Sequence, residues 1–209
     1  MPDAPLTPGD VGAVLGLPRA TLDRLAAHLD LLRRWQRAIN LVGRSTLADP
    51  WRRHVLDSAQ LYPHAAGRPG PLVDLGSGAG FPGLVLAILG APDVHLIESD
   101  SRKAQFLREA ARITGTPVTV HAGRIGEVAP FPAGVITARA LAPLPRLLDL
   151  AGPFLGPDTL CLFLKGIGVL DELKNVCHDW QTTHEVLPSR ADSSGAVLKL
   201  ERIRRVGHG

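Results

Sequence analysis

Three glycines at alternate positions, Gly76, Gly78 and Gly80, directly follow the apolar run Pro71-Leu72-Val73 and the carboxylate Asp74. A helix or strand interior loses stability at every glycine, so this spacing belongs to a tight loop. The segment reads as a strand ending at about Leu75, a sharp turn, and an apolar helix starting near Pro82. Backbone without β-carbons can approach a ligand closely and aim N–H groups at it. In an open α/β sheet, the carboxyl end of a strand is where nucleotide-like ligands bind.

The spacing is G-x-G-x-G, whereas the dinucleotide fingerprint is G-x-G-x-x-G, and in the register that begins at Gly76 its third glycine would fall on Phe81. An out-of-register match at Gly78, Gly80 and Gly83 starts four residues beyond the acid and spans Pro82. The loop therefore reads as an S-adenosylmethionine site. Support comes from the next strand-like run, Val94 to Glu98, which ends in an acid 98 − 80 = 18 residues after the last glycine. That is close to the roughly 20 expected for a carboxylate that accepts hydrogen bonds from ribose hydroxyls. A carboxylate there repels a 2′-phosphate, which disfavours NADP.

From Pro71 onward, short apolar runs alternate with helical patterns, the signature of a parallel sheet with crossover helices. Strands are expected at 71–75, 93–98, 117–121, 134–138, 159–165, 183–187 and 196–203, and helices at 82–89, 101–114, 143–151 and 167–180. The loop 189–195 suits a hairpin between the last two strands, with an antiparallel seventh strand inserted near the edge. Residues 1–66 read as a helical extension and 67–209 as the sheet domain. Leu22, Leu25, Leu29, Leu32 and Ile39 form one helical stripe that stops near Asn40. A second helix is expected from Asp49 and Pro50 to Leu61.

Net charge is only +3, but six arginines (Arg33, Arg34, Arg37, Arg44, Arg52, Arg53) face one acid, Asp49, between Arg33 and His54. Such a patch is either the footprint of a phosphate-backbone partner or a solvated helix face. Arginine over lysine favours the first, since guanidinium matches phosphate geometry. No apolar run approaches the roughly 20 residues of a membrane span, and Met1 to Thr7 lack a signal pattern. Cys161 and Cys177 lie 16 apart without a CxxC, so neither a disulfide framework nor a zinc site is expected. The cytoplasm is the default location, and the expectation is a monomer without metal.

Further blocks accompany the glycine loop: Asn40-Leu41, then Arg53-His54-Val55-Leu56-Asp57-Ser58, then Phe81-Pro82-Gly83. They continue with Arg102 to Leu107, Ile136-Thr137-Ala138-Arg139-Ala140 and Leu164-Lys165-Gly166. In this order, over about residues 21 to 200, they resemble the glucose-inhibited-division protein B family, bacterial methyltransferases acting on guanine N7 in 16S ribosomal RNA. The resemblance implies a class I S-adenosylmethionine-dependent fold with a Rossmann-like, seven-stranded, mostly parallel sheet. It also implies the guanine at rRNA position 527, presented on 16S rRNA or the 30S subunit. Cofactor contacts carry over to Gly76, Phe81, Ile125, Gly126 and Arg139. Two positions depart from the family pattern: Glu98 stands where Asp is usual, and Gly126 where Glu is usual, with Glu127 as a replacement.

Guanine N7 already presents a lone pair, so attack on a sulfonium methyl needs no general base, and none is evident. Positioning then supplies most of the acceleration. Asp74 either orients the glycine loop or accepts from the cofactor's amino group. Phe81 lines the cleft or fills the core. Arg139 is the candidate catalytic residue, reaching the cofactor's carboxylate or guanine O6. His54 and Asp57, three apart on one helical face, form a local pair that either caps the extension or lets His54 touch RNA. Arg52, Arg53, Arg102, Lys103 and Lys165 are candidate RNA contacts; two cations opening a helix oppose its dipole, a cost that RNA binding would explain. The exocyclic-amine motif is missing after the fourth strand, and Cys161 falls inside a strand, which argues against amine and cytosine-C5 chemistry. The competing readings are a methyltransferase for another RNA, a protein or a small molecule, a non-catalytic RNA-binding module and, weakest, an NAD oxidoreductase.

Overall fold

The computed structural model describes residues 4–176 and 179–206; Cys177 and the first three residues lie outside them. Helix α1 (Pro8–Leu15) lies within the expected helical extension, and its signals are local. Thr7 caps it by accepting from the Asp10 N–H, Asp10 reaches back to the Thr7 N–H, and Pro8 opens the first turn. Helix α2 (Arg19–Trp35) carries the expected apolar stripe but stops short of Asn40. The Gln36 side chain explains this, since its Oε1 accepts from the N–H groups of Leu41 and Val42 and turns the chain there.

Residues Trp51–Leu56 form a π-helical turn rather than the opening of an α-helix, followed by short helices α3 (Asp57–Ala59) and α4 (Tyr62–Ala65). Such wide turns recur at functional positions. The chain then enters the sheet: β1 (Leu72–Leu75), α5 (Gly83–Ile88), β2 (Val94–Glu98), α6 (Ser101–Thr114), β3 (Thr119–Ala122), β4 (Val135–Arg139), α7 (Leu144–Ala151), β5 (Leu160–Lys165), α8 (Val169–Lys174), β6 (Trp180–Pro188) and β7 (Ala196–Arg205).

The seven strands stand in the order β3-β2-β1-β4-β5-β7-β6. β1 to β5 run parallel, and β7 inserts antiparallel between β5 and β6. All seven expected strands are present. The last proposed helix is shorter than 167–180, because β6 begins at Trp180, whose ring is buried on the sheet. One apolar face of the sheet packs on α5 and α6, and the other on α7 and α8.

The expected boundary at residue 66 is not a boundary in the core: Leu25, Leu29 and Leu32 of α2 share one cluster with Phe81, Leu84 and Phe106. Arg24 reinforces the join. Its guanidinium donates to the carbonyls of Thr114 (2.8 Å) and Ile88 (3.3 Å) and to Thr116 Oγ1 (2.8 Å), satisfying the carbonyl ends of α6 and α5.

Candidate active site

The glycine loop leaves β1 at the carboxyl edge of the sheet. Gly76 has φ +67°, a conformation only glycine adopts without strain, and a β-carbon there would stand 2.7 Å from Leu141 Cδ1. A cavity of about 780 Å³ opens beside it, between the loop, β4, β5 and residues 41–57. A second, of about 530 Å³, lies on the far side of Gly76, walled by Ile97, residues 123–127 and α7. Gly76 and Leu141 belong to both. Ile125 and Gly126 therefore face the second cavity, and Gly78 and Phe81 the first. Glu127 folds onto its own turn, accepting from the Arg124 N–H (2.9 Å).

Three of the residues expected to touch a cofactor, Asp74, Gly80 and Glu98, line neither cavity. Asp74 is completely buried; its Oδ1 accepts from Thr137 Oγ1 (2.7 Å) and its Oδ2 from the Gly83 N–H (3.2 Å). It ties β1 to β4 and to the start of α5, so of its two readings only loop orientation has the geometry. Burial raises its carboxyl to about 6 against the pull of those hydrogen bonds. Gly80 packs inward, where a β-carbon would meet Leu84 Cβ at 2.8 Å. Glu98 ends β2 as expected, but both oxygens are already engaged: Oε2 accepts from the Gly78 N–H and Oε1 from the Asp100 N–H, each at 2.8 Å. Each oxygen keeps a lone pair for a further donor.

Arg139 links the sheet to the extension. Its Nη1 donates to the Arg53 carbonyl and to His54 Nδ1, both at 3.0 Å, and lies 3.5 Å from Asp57 Oδ2. The guanidinium sits over the Phe81 ring, 5.1 Å from its centroid. Burial lowers the Arg139 pKa and raises that of Asp57, while each opposes the shift of the other.

His54 is buried within the wall of the first cavity. With Nδ1 accepting from Arg139, its proton resides on Nε2, which donates to Thr46 Oγ1 (2.8 Å), and Thr46 donates to the Gly43 carbonyl (2.6 Å). Burial, then the charges of Arg139 and Arg53, push His54 down to about 3, so the ring is neutral at physiological pH. The expected direct pair of His54 with Asp57 is absent, and Arg139 bridges them instead.

Sequence reasoning overlooked His28. Its ring stacks on Phe81 (4.9 Å), as does that of His54 (4.7 Å). His28 Nε2–H donates to the Ala79 carbonyl (2.8 Å), and burial lowers the ring to about 4. The signal was available: His28 falls on the Leu25–Leu29–Leu32 stripe of α2, the one titratable residue there.

The expected RNA contacts divide. Arg52 is committed to structure, bonded to Asp49 (2.8 Å) and to the Ala4 carbonyl (2.8 Å). Lys165 is nearly enclosed and pairs with Glu172 at 2.6 Å, so it does not stand free for a phosphate. Arg53 lines the first cavity, paired with Asp192 of the β6–β7 loop. Lys103 lines the same cavity and Arg102 is exposed; Asp100 caps their helix by accepting from both N–H groups, which offsets the dipole cost without invoking RNA. Of the arginine-rich run, Arg33, Arg34, Arg37 and Arg44 are exposed, Arg33 paired with Asp30. Among the described residues, no group of three or more His, Cys, Asp or Glu is placed to hold a metal ion, and no helix is long and apolar enough to cross a membrane.

Solved structures share the architecture: a TehB-like SAM-dependent methyltransferase from Corynebacterium glutamicum (TM-score 0.57, 16% identity, 85% of this chain and 99% of that one). A glycopeptide N-methyltransferase, MtfA, complexed with S-adenosyl-L-homocysteine aligns at TM-score 0.58 with 11% identity, over 71% of this chain and 89% of that one. At such identities the likeness is one of fold. Sequence relatives are nearer: the ribosomal RNA small subunit methyltransferase G of Rhodospirillum centenum is 58% identical, covering 93% of this chain and 90% of the relative. That of Paramagnetospirillum magneticum is 57% identical, covering 91% and 93%. The model of one family, rRNA small subunit methyltransferase G, matches residues 21–196. With that match running from α2 through the glycine loop and Arg139 to the start of β7, the chain belongs to the rRNA small subunit methyltransferase G family.

Proposed function

We propose that this chain transfers a methyl group from S-adenosylmethionine to N7 of a guanine in 16S ribosomal RNA, the nucleotide at position 527. The observation that carries the mechanism is that Gly76 backbone and the Arg139 guanidinium face one cavity at the carboxyl edge of the sheet. The cofactor fits the residues present: two cavities meet over a glycine with no β-carbon, the Glu98 carboxylate stands at the end of β2, and Ile125 offers an apolar wall. When bound, the cofactor supplies an electrophilic methyl on a sulfonium.

Glu98 has the lone pairs to accept from ribose hydroxyls, Ile125 and Gly126 border the nucleoside half, and Gly76, Gly78 and Phe81 border the reacting half. Arg139 is placed for a carboxylate or for guanine O6, both acceptors. The Arg139–Asp57 pair matters electrostatically, because the methylated base is cationic and an unpaired guanidinium beside N7 would oppose its formation. His54 is neutral and its Nδ1 is occupied, so it holds Arg139 and Phe81 rather than moving a proton. An acceptor that carries no proton suits a site without a free base. Arg53, Arg102 and Lys103 are the proposed phosphate contacts, and the chain is proposed to work as a monomer without metal.

The test supplies labelled cofactor with naked 16S rRNA, 30S particles, protein extract or small metabolites, in the presence of a chelator. Label in 16S rRNA, with aniline-induced scission at a single guanine, is expected. Label confined to protein or metabolites refutes the proposal.

A further inference from the structure

In-line attack requires the guanine N7 edge, in the plane of the ring, to face into the cavity beside Gly76 and Arg139. A guanine stacked in an A-form helix presents that edge in a deep, narrow major groove that protein cannot enter. A target guanine held in such a helix has to leave its stack, at the cost of lost stacking. Proteins that unstack bases commonly fill the gap with an apolar side chain.

One segment of the cavity rim has that character. β5 is followed by Gly166-Ile167-Gly168 and then α8. Gly166 and Glu172 both line the cavity, so the turn between them borders it, with Val169 buried in the core beneath. Ile167 is 87% exposed and Leu170 61%, more than any other exposed large apolar side chain among the described residues. A β-carbon on Gly166 or Gly168 would meet nothing within 4 Å, which leaves Ile167 on an unobstructed projection. Charge on this rim is balanced by Lys165 with Glu172 and Lys174 with Asp171 (2.6 and 2.8 Å), so it does not repel a phosphate backbone. Lys103, on the wall of the same cavity, supplies positive charge beside the Arg53–Asp192 pair.

We infer that Ile167, backed by Leu170, is an apolar wedge that enters the RNA stack at the place vacated by the target guanine. The inference rests on the RNA substrate proposed above. It makes the β5–α8 turn part of substrate recognition, selecting RNA in which the guanine must be extruded.

The test compares the wild type with the double variant Ile167→Ser/Leu170→Ser on two RNAs. One is a hairpin holding the target guanine stacked; the other is a single strand with abasic sites on both sides of it. On the hairpin, kcat/KM is expected to fall about tenfold or more, the scale of a lost stacking partner. On the abasic strand it stays within about twofold of wild type, since nothing remains to unstack. Ile167→Met retains the hairpin activity. Unchanged hairpin activity, or equal losses on both RNAs, overturns the wedge. Wild-type transfer to the abasic strand upholds the RNA reading whatever the variants do. If the wild type methylates neither RNA, that reading fails, while 2-aminopurine beside the target guanine still reports the wedge: its fluorescence rises on binding wild type and not on binding the double variant.

Discussion

Asp74→Asn should leave cofactor binding intact and remove a pH dependence of stability. The native carboxyl is fully buried and sits at about 6 rather than 3.8. Ionising it in the fold therefore costs more than in the unfolded chain, by (6 − 3.8) × 1.36, or about 3 kcal/mol. The sign follows from proton counts. Between pH 3.8 and about 6 the folded state holds the proton that the unfolded state has released, so this group's contribution to stability falls as pH rises through that window and is flat above it. Asparagine cannot ionise, yet its Oδ1 can accept from the Gly83 N–H and its Nδ2 can donate to Thr137 Oγ1, the two partners of the native side chain. The assay is urea unfolding of both proteins from pH 4 to 8, taking the difference at each pH so that every other titrating group cancels. The variant should gain on the wild type by about 3 kcal/mol, as an upper figure, between pH 4 and pH 7. A difference that does not change with pH refutes the burial argument. Cofactor affinity lost in a variant that remains folded refutes the assignment of Asp74 to the scaffold.

Arg139→Ala should lower single-turnover methyl transfer by about 100-fold or more, the scale of losing one preorganised charge; an unaltered rate removes Arg139 from the active site. Its buried partner Asp57 loses its counter-charge, so unfolding should also come earlier, by about 3 kcal/mol at most. Asp192→Asn releases the Arg53 guanidinium, and RNA binding measured against salt should tighten, its log–log slope steepening by about one; the same affinity and slope would mean that Arg53 makes no phosphate contact. His28 and His54, held to about 4 and 3, bind fewer protons folded than unfolded below pH 6.5, so each withdraws stability as pH falls from 6.5 toward its folded value. His28→Phe, which keeps an aromatic ring against Phe81, should therefore shift acid unfolding to lower pH relative to its stability at pH 7; an unshifted acid limb would show that His28 is not held neutral.

What the sequence disclosed was largely what backbone periodicity encodes. Alternation of apolar runs gave the seven strands, and the glycine spacing marked the turn between β1 and α5 as well as the cavity beside it. The errors have a common physical origin. For Asp74, His54, Arg52 and Lys165, the readings that had them touch cofactor or RNA came from residue type and position along the chain alone. Three of them meet a partner distant in sequence, Thr137 for Asp74, Arg139 for His54 and Ala4 for Arg52, while Lys165 pairs with Glu172 in the next element. Such pairings depend on how α2, the π-helical turn and the sheet pack together, which no window along the chain records. Gln36 ends α2 at Trp35 by a local contact instead, its side chain accepting from Leu41 and Val42. His28 is the exception, since a lone imidazole on an apolar stripe is visible in the chain itself.

The Phe81 ring is stacked on by two imidazoles, His28 and His54, from helical segments that come before the sheet in the chain. Damage far upstream would thus surface as a fault in donor capture, and a shortened chain beginning at β1 would carry every glycine of the loop yet lose the clamp that holds them in place. Grafting this catalyst onto another RNA-targeting head would mean transplanting the first helices along with it.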